Sequence, residues 1–200
     1  MIQKSVCIIC EGFEEYDYLS KLIELKVWNN KYRIELKNVE GNGNLSARYN
    51  YLYQMDIYDI ILILCDTERK PYKQYYELKN KIDAFHGVKG ISDLIVFFTN
   101  PCSLQLMIYH FSNDILPSNN KSKCKPIVEK NTGIKNYSAH DRQRQVIASL
   151  ITCDNYYEMK KTIKNIVINE KVKGSTNFYT LISYLESSNT SWINKINKKL

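Results

Sequence analysis

Acidic side chains follow two apolar runs of this sequence, at the points where the runs end. The first run ends at Glu11, with Glu15 four residues later, and the second run ends at Asp66 and Glu68. Carboxylate oxygens are the protein ligands that Mg²⁺ and Mn²⁺ prefer. Such a cation can neutralise the charge on a phosphate and activate a water molecule. The two acidic clusters together favour a metal site that acts on phosphodiester bonds.

The spacing of these acids assigns each of them a role. Asp66 and Glu68 are two residues apart, so on extended backbone both side chains point to the same side, which suits a shared metal ion. Glu11 would be a further metal ligand or a general acid/base, because like charges nearby raise its pKa. Any one of these acids, taken alone, is more often a helix cap or a solvated surface group. Asp66, for example, could cap the helix that begins near Tyr72.

Strands alternate with helices in the part of the chain that carries these acids. The nearly continuous apolar runs are typical of strands buried on both faces of a parallel sheet, whereas residues 33–39 alternate like a half-exposed edge strand. The predicted elements are strands at residues 4–10, 33–39, 58–65 and 92–98 and helices at residues 14–26, 45–54, 72–85 and 104–111. This order predicts a doubly wound α/β sheet. Right-handed crossovers would bring the loops after Cys10, Cys65 and Phe98 to one edge.

The pattern changes after residue 113. Residues 112–136 are polar and contain Pro117 and Pro126, which predicts a long exposed loop. Further helices are predicted at residues 141–150, 156–169 and 177–186, and a basic tail begins at residue 191. We therefore divide the chain into an α/β domain, residues 1–113, and a basic, mainly helical C-terminal lobe, residues 114–200.

The net charge of +7 comes from the second part of the chain, since the first part is slightly negative. Residues 1–113 carry 13 Lys/Arg against 14 Asp/Glu, whereas residues 114–200 carry 15 against 7. This imbalance fits either a solvated lysine-rich surface or a binding surface for a polyanion. If the partner is nucleic acid, Lys70, Arg142 and Arg144 are the candidates for contacts with its backbone. A solvated helix face is the alternative for the two arginines.

Composition also bears on location. No apolar run approaches the ~20 residues of a membrane span, and the N-terminus leads directly into strand-like sequence, so we expect a cytoplasmic protein without a membrane partner. Most of the six scattered cysteines are predicted to be buried core thiols. His110 lies among apolar residues and is predicted to be structural. The sequence is compatible with a homo-oligomer. It contains no local motif for Ser-His-Asp or Cys-His catalysis.

The two acidic clusters resemble the signature of the TOPRIM domain of topoisomerases, primases and OLD-type nucleases. That signature has a Glu-Gly strand end with an acid four residues on, followed by an Asp-x-Asp strand end. The resemblance implies a Rossmann-like fold with a mostly parallel central sheet. It also implies that Glu11 is the acid/base, that Asp66 and Glu68 hold Mg²⁺ or Mn²⁺, and that Glu15 assists. Glu68 stands where the family usually has Asp, which lengthens one ligand.

A narrower resemblance is to RloB-like TOPRIM proteins of bacterial anti-phage systems. It rests on Asn100-Pro101 after the next predicted strand and on His110-Phe111 at the end of the following helix. Leu104 stands where those proteins have a glutamate. The resemblance implies a nuclease that cleaves DNA or tRNA/RNA during abortive infection, with an ABC/SMC-like ATPase partner. The alternatives are primase-like nucleotidyl transfer and a degenerate TOPRIM module that binds nucleic acid or a partner without cleavage.

Overall fold

The computed structural model of this chain describes residues 3–39, 44–67 and 70–200 and has an α/β fold. Its strands are β1 (Lys4–Cys10), β2 (Tyr32–Asn38), β3 (Ile60–Asp66) and β4 (Val96–Thr99). Within the described residues these four strands form one parallel sheet in the order β2-β1-β3-β4. The predicted α/β class and the parallel sheet are confirmed.

The central position of β1 and β3 explains their composition. Both strands have neighbours on either side, and residues 6–10 and 60–65 are buried. Helices cover both faces of a parallel sheet, so its inner strands are apolar at nearly every position. The edge strand β2 instead alternates between more and less buried residues at its start, as the sequence predicts.

Strand register brings the strand ends to one edge. Cys10 of β1 is level with Leu64 of β3, and Asp66 of β3 is level with Thr99 of β4. The residues that follow each of these strands therefore meet at the carboxyl edge of the sheet. This is the common edge that the crossover argument predicts.

Helices surround the sheet and extend the core beyond residue 113. They are α1 (Phe13–Glu24), α2 (Leu45–Gln54), α3 (Lys73–His86), α4 (Ser92–Ile95), α5 (Leu104–Ile108), α6 (Lys121–Thr132), α7 (Asp141–Ser149), α8 (Cys153–Lys164), α9 (Phe178–Glu186) and α10 (Ser191–Asn197). Tyr137, Tyr156 and Phe178 are fully buried in the same hydrophobic cluster as the central strands. The later helices thus share one apolar core with the sheet.

The prediction of a strand over residues 92–98 is wrong in its first half. Ser92–Ile95 form the short helix α4, and β4 begins only at Val96. The Asp83 carboxylate accepts hydrogen bonds from the backbone N–H groups of Gly90 and Ser92, at 2.7 and 2.8 Å. Because Asp83 lies in α3, this capping depends on a contact that a local strand pattern does not reveal.

The prediction of a long exposed loop over residues 112–136 is also wrong. Helix α6 occupies Lys121–Thr132, and Asn120 caps it by accepting a hydrogen bond from the Ser122 N–H at 3.0 Å. Cys124 and Val128, four residues apart, bury one face of the helix. Pro126 lies inside α6, and its presence in a polar stretch led to the incorrect prediction. This helix begins at Lys121, which lies at the candidate site.

The burial of most cysteines and of His110 agrees with the prediction from the sequence. Five of the six cysteines are buried free thiols, and only Cys153 is exposed. His110 is buried and contacts the Tyr18 hydroxyl through Nε2, at 3.0 Å, and Asn155 Oδ1 through Nδ1, at 3.1 Å.

Among the described residues, none of the helices combines the length and apolar character needed to cross a membrane.

Candidate acidic site

A cleft of about 290 Å³ opens at the carboxyl edge of the sheet. Three of the acids predicted from the sequence, Glu11, Glu15 and Asp66, lie together in its wall. The lining residues are Glu11, Gly12, Phe13, Glu14, Glu15, Asp66, Ala139 and Arg144. Helix α7 and the segment before it thus close a cleft whose floor comes from β1, β3 and the start of α1.

Backbone hydrogen bonds hold the carboxylates of Glu11 and Asp66 beside each other. The Glu11 N–H donates to the Leu64 carbonyl at 3.2 Å, and Glu11 Oε2 accepts a hydrogen bond from the Asp66 N–H at 2.8 Å. Asp66 Oδ1 in turn accepts from the Ser103 N–H at 2.7 Å, at the start of α5. The two acids are therefore fixed by three segments that meet at the sheet edge.

Glu15 is the most deeply buried acid of the site. Its Oε2 accepts a hydrogen bond from the Gly12 N–H at 2.8 Å, so the Glu15 side chain satisfies the N-cap backbone at the start of α1. Burial raises the pKa of Glu15, and the like charge of Glu14 adds to this effect. The geometry gives Glu15 a helix-capping role and allows it to hold a proton more readily than an exposed glutamate.

Asp66 lies in a field of excess negative charge. Burial raises the pKa of Asp66 well above its usual range, and the carboxylates of Glu15 and Glu11 raise it further. Lys121 opposes this increase. A cation bound in the cleft would relieve the same repulsion.

Lys121, Glu14 and Tyr137 form a group at the site that the sequence does not predict. Lys121 Nζ makes an ion pair with Glu14 Oε2 and lies 3.6 Å from Cys102 Sγ, and the Tyr137 hydroxyl donates to Glu14 Oε1 at 2.6 Å. Burial disfavours the charge of Lys121, but Cys102 and the carboxylates of Glu14 and Asp66 outweigh it and raise the pKa of this lysine. Lys121 is therefore a fixed positive charge within the acidic cluster.

The three basic residues predicted to bind nucleic acid have different environments. Arg144 is buried, and its Nε donates to Asp17 Oδ2 at 2.8 Å while another guanidinium nitrogen donates to Asp141 Oδ1 at 2.7 Å. Its guanidinium also lies over the Phe13 ring, 5.1 Å from the centroid. Arg144 thus joins α7 to α1 in the cleft wall. Arg142 and Lys70 are exposed and are not among the residues that line this cleft.

The donor set fits a magnesium ion with several water ligands. Glu11 and Asp66 supply two carboxylates from adjacent strand ends, and Mg²⁺ needs no more than one or two from a protein. The described part of the chain contains no group of three or more His, Cys, Asp and Glu side chains that could hold a metal ion. Glu68, the remaining predicted metal ligand, lies outside the described residues.

Helix α5 adds no acid to the site. Leu104, which stands where the resemblance to RloB-like proteins would place a glutamate, is an apolar residue and is fully buried. Gln105 is also buried, and it accepts a hydrogen bond from the Leu116 N–H at 2.7 Å and donates to the Asp114 carbonyl at 2.8 Å. These contacts give Gln105 a structural role in fixing the segment after α5.

Comparison with protein-family models, with curated protein sequences and with solved structures finds no match to this chain. The grounds for assigning a function are therefore the site geometry, the distribution of charge and the motifs of the sequence itself.

Proposed function

We propose that this protein is a divalent-cation-dependent nuclease that hydrolyses phosphodiester bonds. The observation that carries the proposal is the pairing of Glu11 and Asp66 across neighbouring parallel strands, with Glu15 behind them, in a cleft at the carboxyl edge. Ligands of open α/β sheets bind in crevices outside the carboxyl ends of the strands. Acids collected at this edge match what phosphodiester hydrolysis requires.

The acids of the site and Lys121 have distinct roles in this proposal. Glu11 and Asp66 would hold Mg²⁺ or Mn²⁺ together with Glu68, and Glu11 is also the candidate acid/base. The bound cation supplies charge neutralisation at the phosphate and a more acidic water molecule. Lys121 partly neutralises the excess negative charge of the acids. Glu15 fixes the turn at Gly12, which directly follows Glu11 and so helps to fix its position.

The sequence motifs extend the proposal to a biological setting. The resemblance to RloB-like and OLD-type TOPRIM nucleases supports a cytoplasmic effector of anti-phage abortive infection, acting on DNA or tRNA/RNA. It also supports an ABC/SMC-like ATPase as a partner. The positive charge of residues 114–200, with Arg142 exposed on α7, supports sequence-independent contacts with a nucleic-acid backbone.

The test is cleavage of plasmid DNA, single-stranded DNA and total tRNA in the presence of Mg²⁺ or Mn²⁺. We expect Glu11→Gln and Asp66→Asn to reduce cleavage by about 100-fold or more, because each removes a carboxylate that would hold the cation acting on the phosphate. The matched controls are Glu129→Gln and Asp56→Asn, which change exposed acids away from the cleft. Cleavage that survives both site substitutions would contradict the assignment.

The buried Leu104 favours a second candidate function. Because α5 contributes no carboxylate, the chain could be a degenerate TOPRIM module that binds nucleic acid or an ATPase without cutting. Binding of plasmid DNA, single-stranded DNA or tRNA that needs no metal ion and is not followed by cleavage would support this second function. Primase-like nucleotidyl transfer is separated from both by adding nucleoside triphosphates, since only that reaction makes a longer product.

A further inference from the structure

The loop that joins α8 to α9, residues 165–177, has an exposed apolar tip. Val167, Ile168 and Val172 are 80%, 58% and 52% exposed. Ser175 holds Val167 and Val172 near each other, because its hydroxyl donates to the Val167 carbonyl at 3.0 Å and its N–H donates to the Val172 carbonyl at 3.1 Å. Three exposed aliphatic side chains on one short loop make this tip a candidate interaction surface. We call residues 165–177 the apolar loop.

The base of the apolar loop is firmly anchored to Asn100. The Asn100 N–H donates to the Ser175 carbonyl at 2.9 Å, its Nδ2 donates to the Glu170 carbonyl at 2.6 Å, and its own carbonyl accepts from the Gly174 N–H at 2.8 Å. The Tyr109 hydroxyl adds a bond to the Gly174 carbonyl at 2.6 Å. The exposed tip therefore stands on a preorganised base, which lowers the entropic cost of binding.

This anchoring places the apolar loop beside the acidic site. Asn100 directly follows Thr99, which is level with Asp66 in the neighbouring strand. The Tyr72 hydroxyl also donates to the Lys171 carbonyl at 3.2 Å, so the loop borders the segment that follows β3. The apolar tip is thus at the same edge of the sheet as the carboxylates, next to the strand that carries Asp66.

Positive charge is concentrated in the apolar loop and in the segments next to it. The exposed lysines of the loop, of the last turn of α8 and of the bordering segment are Lys70, Lys161, Lys164, Lys171 and Lys173, of which Lys161 pairs with Glu158. The one acid of the loop, Glu170, is half-buried and accepts a hydrogen bond from the Tyr76 hydroxyl at 2.8 Å. The surface therefore complements a polyanion that also offers apolar faces between its charges, and stacked base pairs between phosphates have this character.

We propose that the apolar loop is a wedge for double-stranded nucleic acid. Its lysines bind phosphates on either side, and Val167 and Ile168 insert between adjacent base pairs and kink the duplex. Platforms for single strands use aromatic side chains on which bases stack, whereas this tip is aliphatic and fits the unstacking of a base step. The inference rests on the proposed function, and it names a duplex distorted next to the acidic cleft as the substrate class.

The test measures binding of the full chain, without divalent cations, to a 2-aminopurine-labelled duplex whose fluorescence rises when the base unstacks. We expect wild type to bind and to raise the fluorescence. Val167→Ser/Ile168→Ser should abolish the rise and weaken binding about tenfold, with an unchanged dependence of affinity on salt. Ile57→Ser is the matched control, because Ile57 is 52% exposed and precedes β3 at the opposite edge of the sheet.

A second pair of substitutions tests the lysines separately. Lys171→Gln/Lys173→Gln should keep the fluorescence rise at saturation but reduce the slope of log affinity against log salt by about 0.9 for each phosphate that is no longer neutralised. The control is Lys195→Gln/Lys198→Gln at the end of α10. That helix lies at the opposite edge, where Asn197 Nδ2 donates to the Asp59 carbonyl at 2.9 Å.

Three results would overturn the wedge. The first is a Val167→Ser/Ile168→Ser variant that still raises the fluorescence, and the second is a wild type that prefers single strands. The third is a pair of serine substitutions that changes only self-association in sedimentation, which would assign the tip to a protein contact. Cleavage measured in parallel keeps the two proposals apart. If wild type distorts the duplex but does not cleave it, the proposed nuclease function is contradicted and the proposed wedge is supported. If wild type cleaves the duplex but does not distort it, only the proposed wedge is contradicted.

Discussion

Lys121 is the residue whose charge most directly affects the acidic site. It pairs with Glu14 and opposes the rise in the pKa of Asp66 that burial, Glu15 and Glu11 cause. Lys121→Met should therefore raise the pKa of Asp66 further. Because the proposed metal-binding role of Asp66 requires its carboxylate form, the acid limb of the pH–cleavage profile should move to higher pH. The measurement is the pH dependence of cleavage at saturating Mg²⁺.

Lys123→Met provides the control for this prediction. Lys123 lies two residues along the same helix, but it is exposed and is not among the charges that act on Asp66. An acid limb that stays at the same pH in Lys121→Met would show that Lys121 does not tune the site. The sequence could not predict this lysine, since it lies in a lysine-rich run 107 residues from its partner Glu14.

His110 should make stability depend on pH. Burial lowers the pKa of His110 to about 4 in the folded protein, whereas an unfolded histidine has a pKa of about 6.5. The unfolded state therefore binds more protons between these values, so this contribution is fully present above pH 6.5 and is lost as the pH falls towards 4. The expected loss from this one group is about 2 kcal/mol between pH 7 and pH 5.

Urea unfolding of His110→Gln at the same two pH values checks this expectation. The variant should lose less stability than wild type between pH 7 and pH 5, even if it is less stable at both. His140→Gln, which changes an exposed histidine, should behave like wild type. An equal loss in His110→Gln and wild type would mean that His110 is not the group responsible.

At the scale of the element, helix α6 depends on its cap. Asn120 Oδ1 accepts the Ser122 N–H at 3.0 Å, directly before Lys121. Asn120→Ala should destabilise the protein by about 1 kcal/mol and, by fraying the first turn, reduce cleavage. Asn120→Ser keeps a capping oxygen and should restore both properties. Thermal unfolding and cleavage rates of the two variants test this, and equal behaviour of Ala and Ser would argue against the cap.

Two arginines of helix α7, both predicted from the sequence to contact nucleic acid, have different environments. Arg144 bonds to Asp17 and Asp141 and covers Phe13, so Arg144→Met should cost about 2 to 3 kcal/mol, somewhat less than a fully buried pair. Arg142 is exposed, so Arg142→Met should leave stability nearly unchanged and weaken nucleic-acid binding with a smaller salt dependence. Denaturant melts and salt titrations of both variants distinguish these effects, and similar stability losses would contradict the assignment.

Elements were predictable from the sequence where local pattern decides the structure. The runs of β1 and β3 are buried on both faces, so their composition identifies them without tertiary information. Helices α4 and α6 were mispredicted because contacts distant from the pattern decide them. Asp83 caps the turn at Ser92, and the packing of Cys124 and Val128 outweighs the signal of Pro126.

At the scale of the whole molecule, parallel topology explains why the acids could be predicted to meet. Strand order and register bring Glu11 and Asp66 together whatever the loops do, so alternation of strands and helices is enough to predict that juxtaposition. One part of the cleft wall, Ala139 and Arg144, comes from residues 114–200, and its packing depends on contacts that are distant in the sequence. The contacts of Arg144 with Asp17 and of Tyr137 and Lys121 with Glu14 are therefore seen only in the structure.

The concentration of acids at one edge should cost the folded protein stability that a cation restores. Asp66→Asn removes a charge that Glu11 and Glu15 repel, so without metal this variant should unfold at a higher temperature than wild type. Mg²⁺ at tenfold above its dissociation constant should then stabilise wild type by about 1.4 kcal/mol, equivalent to about 3–6 °C. Asp66→Asn should gain almost nothing from Mg²⁺.

Thermal melts across a MgCl₂ titration at constant ionic strength measure both effects independently of any cleavage assay. Asp56→Asn makes the same chemical change at an exposed position and should keep the wild-type response to Mg²⁺. A wild type that Mg²⁺ does not stabilise would separate the acidic cleft from metal binding. Equal stabilisation of wild type and Asp66→Asn would place the ion elsewhere on the molecule, because only an ion held by Asp66 makes its effect depend on that carboxylate.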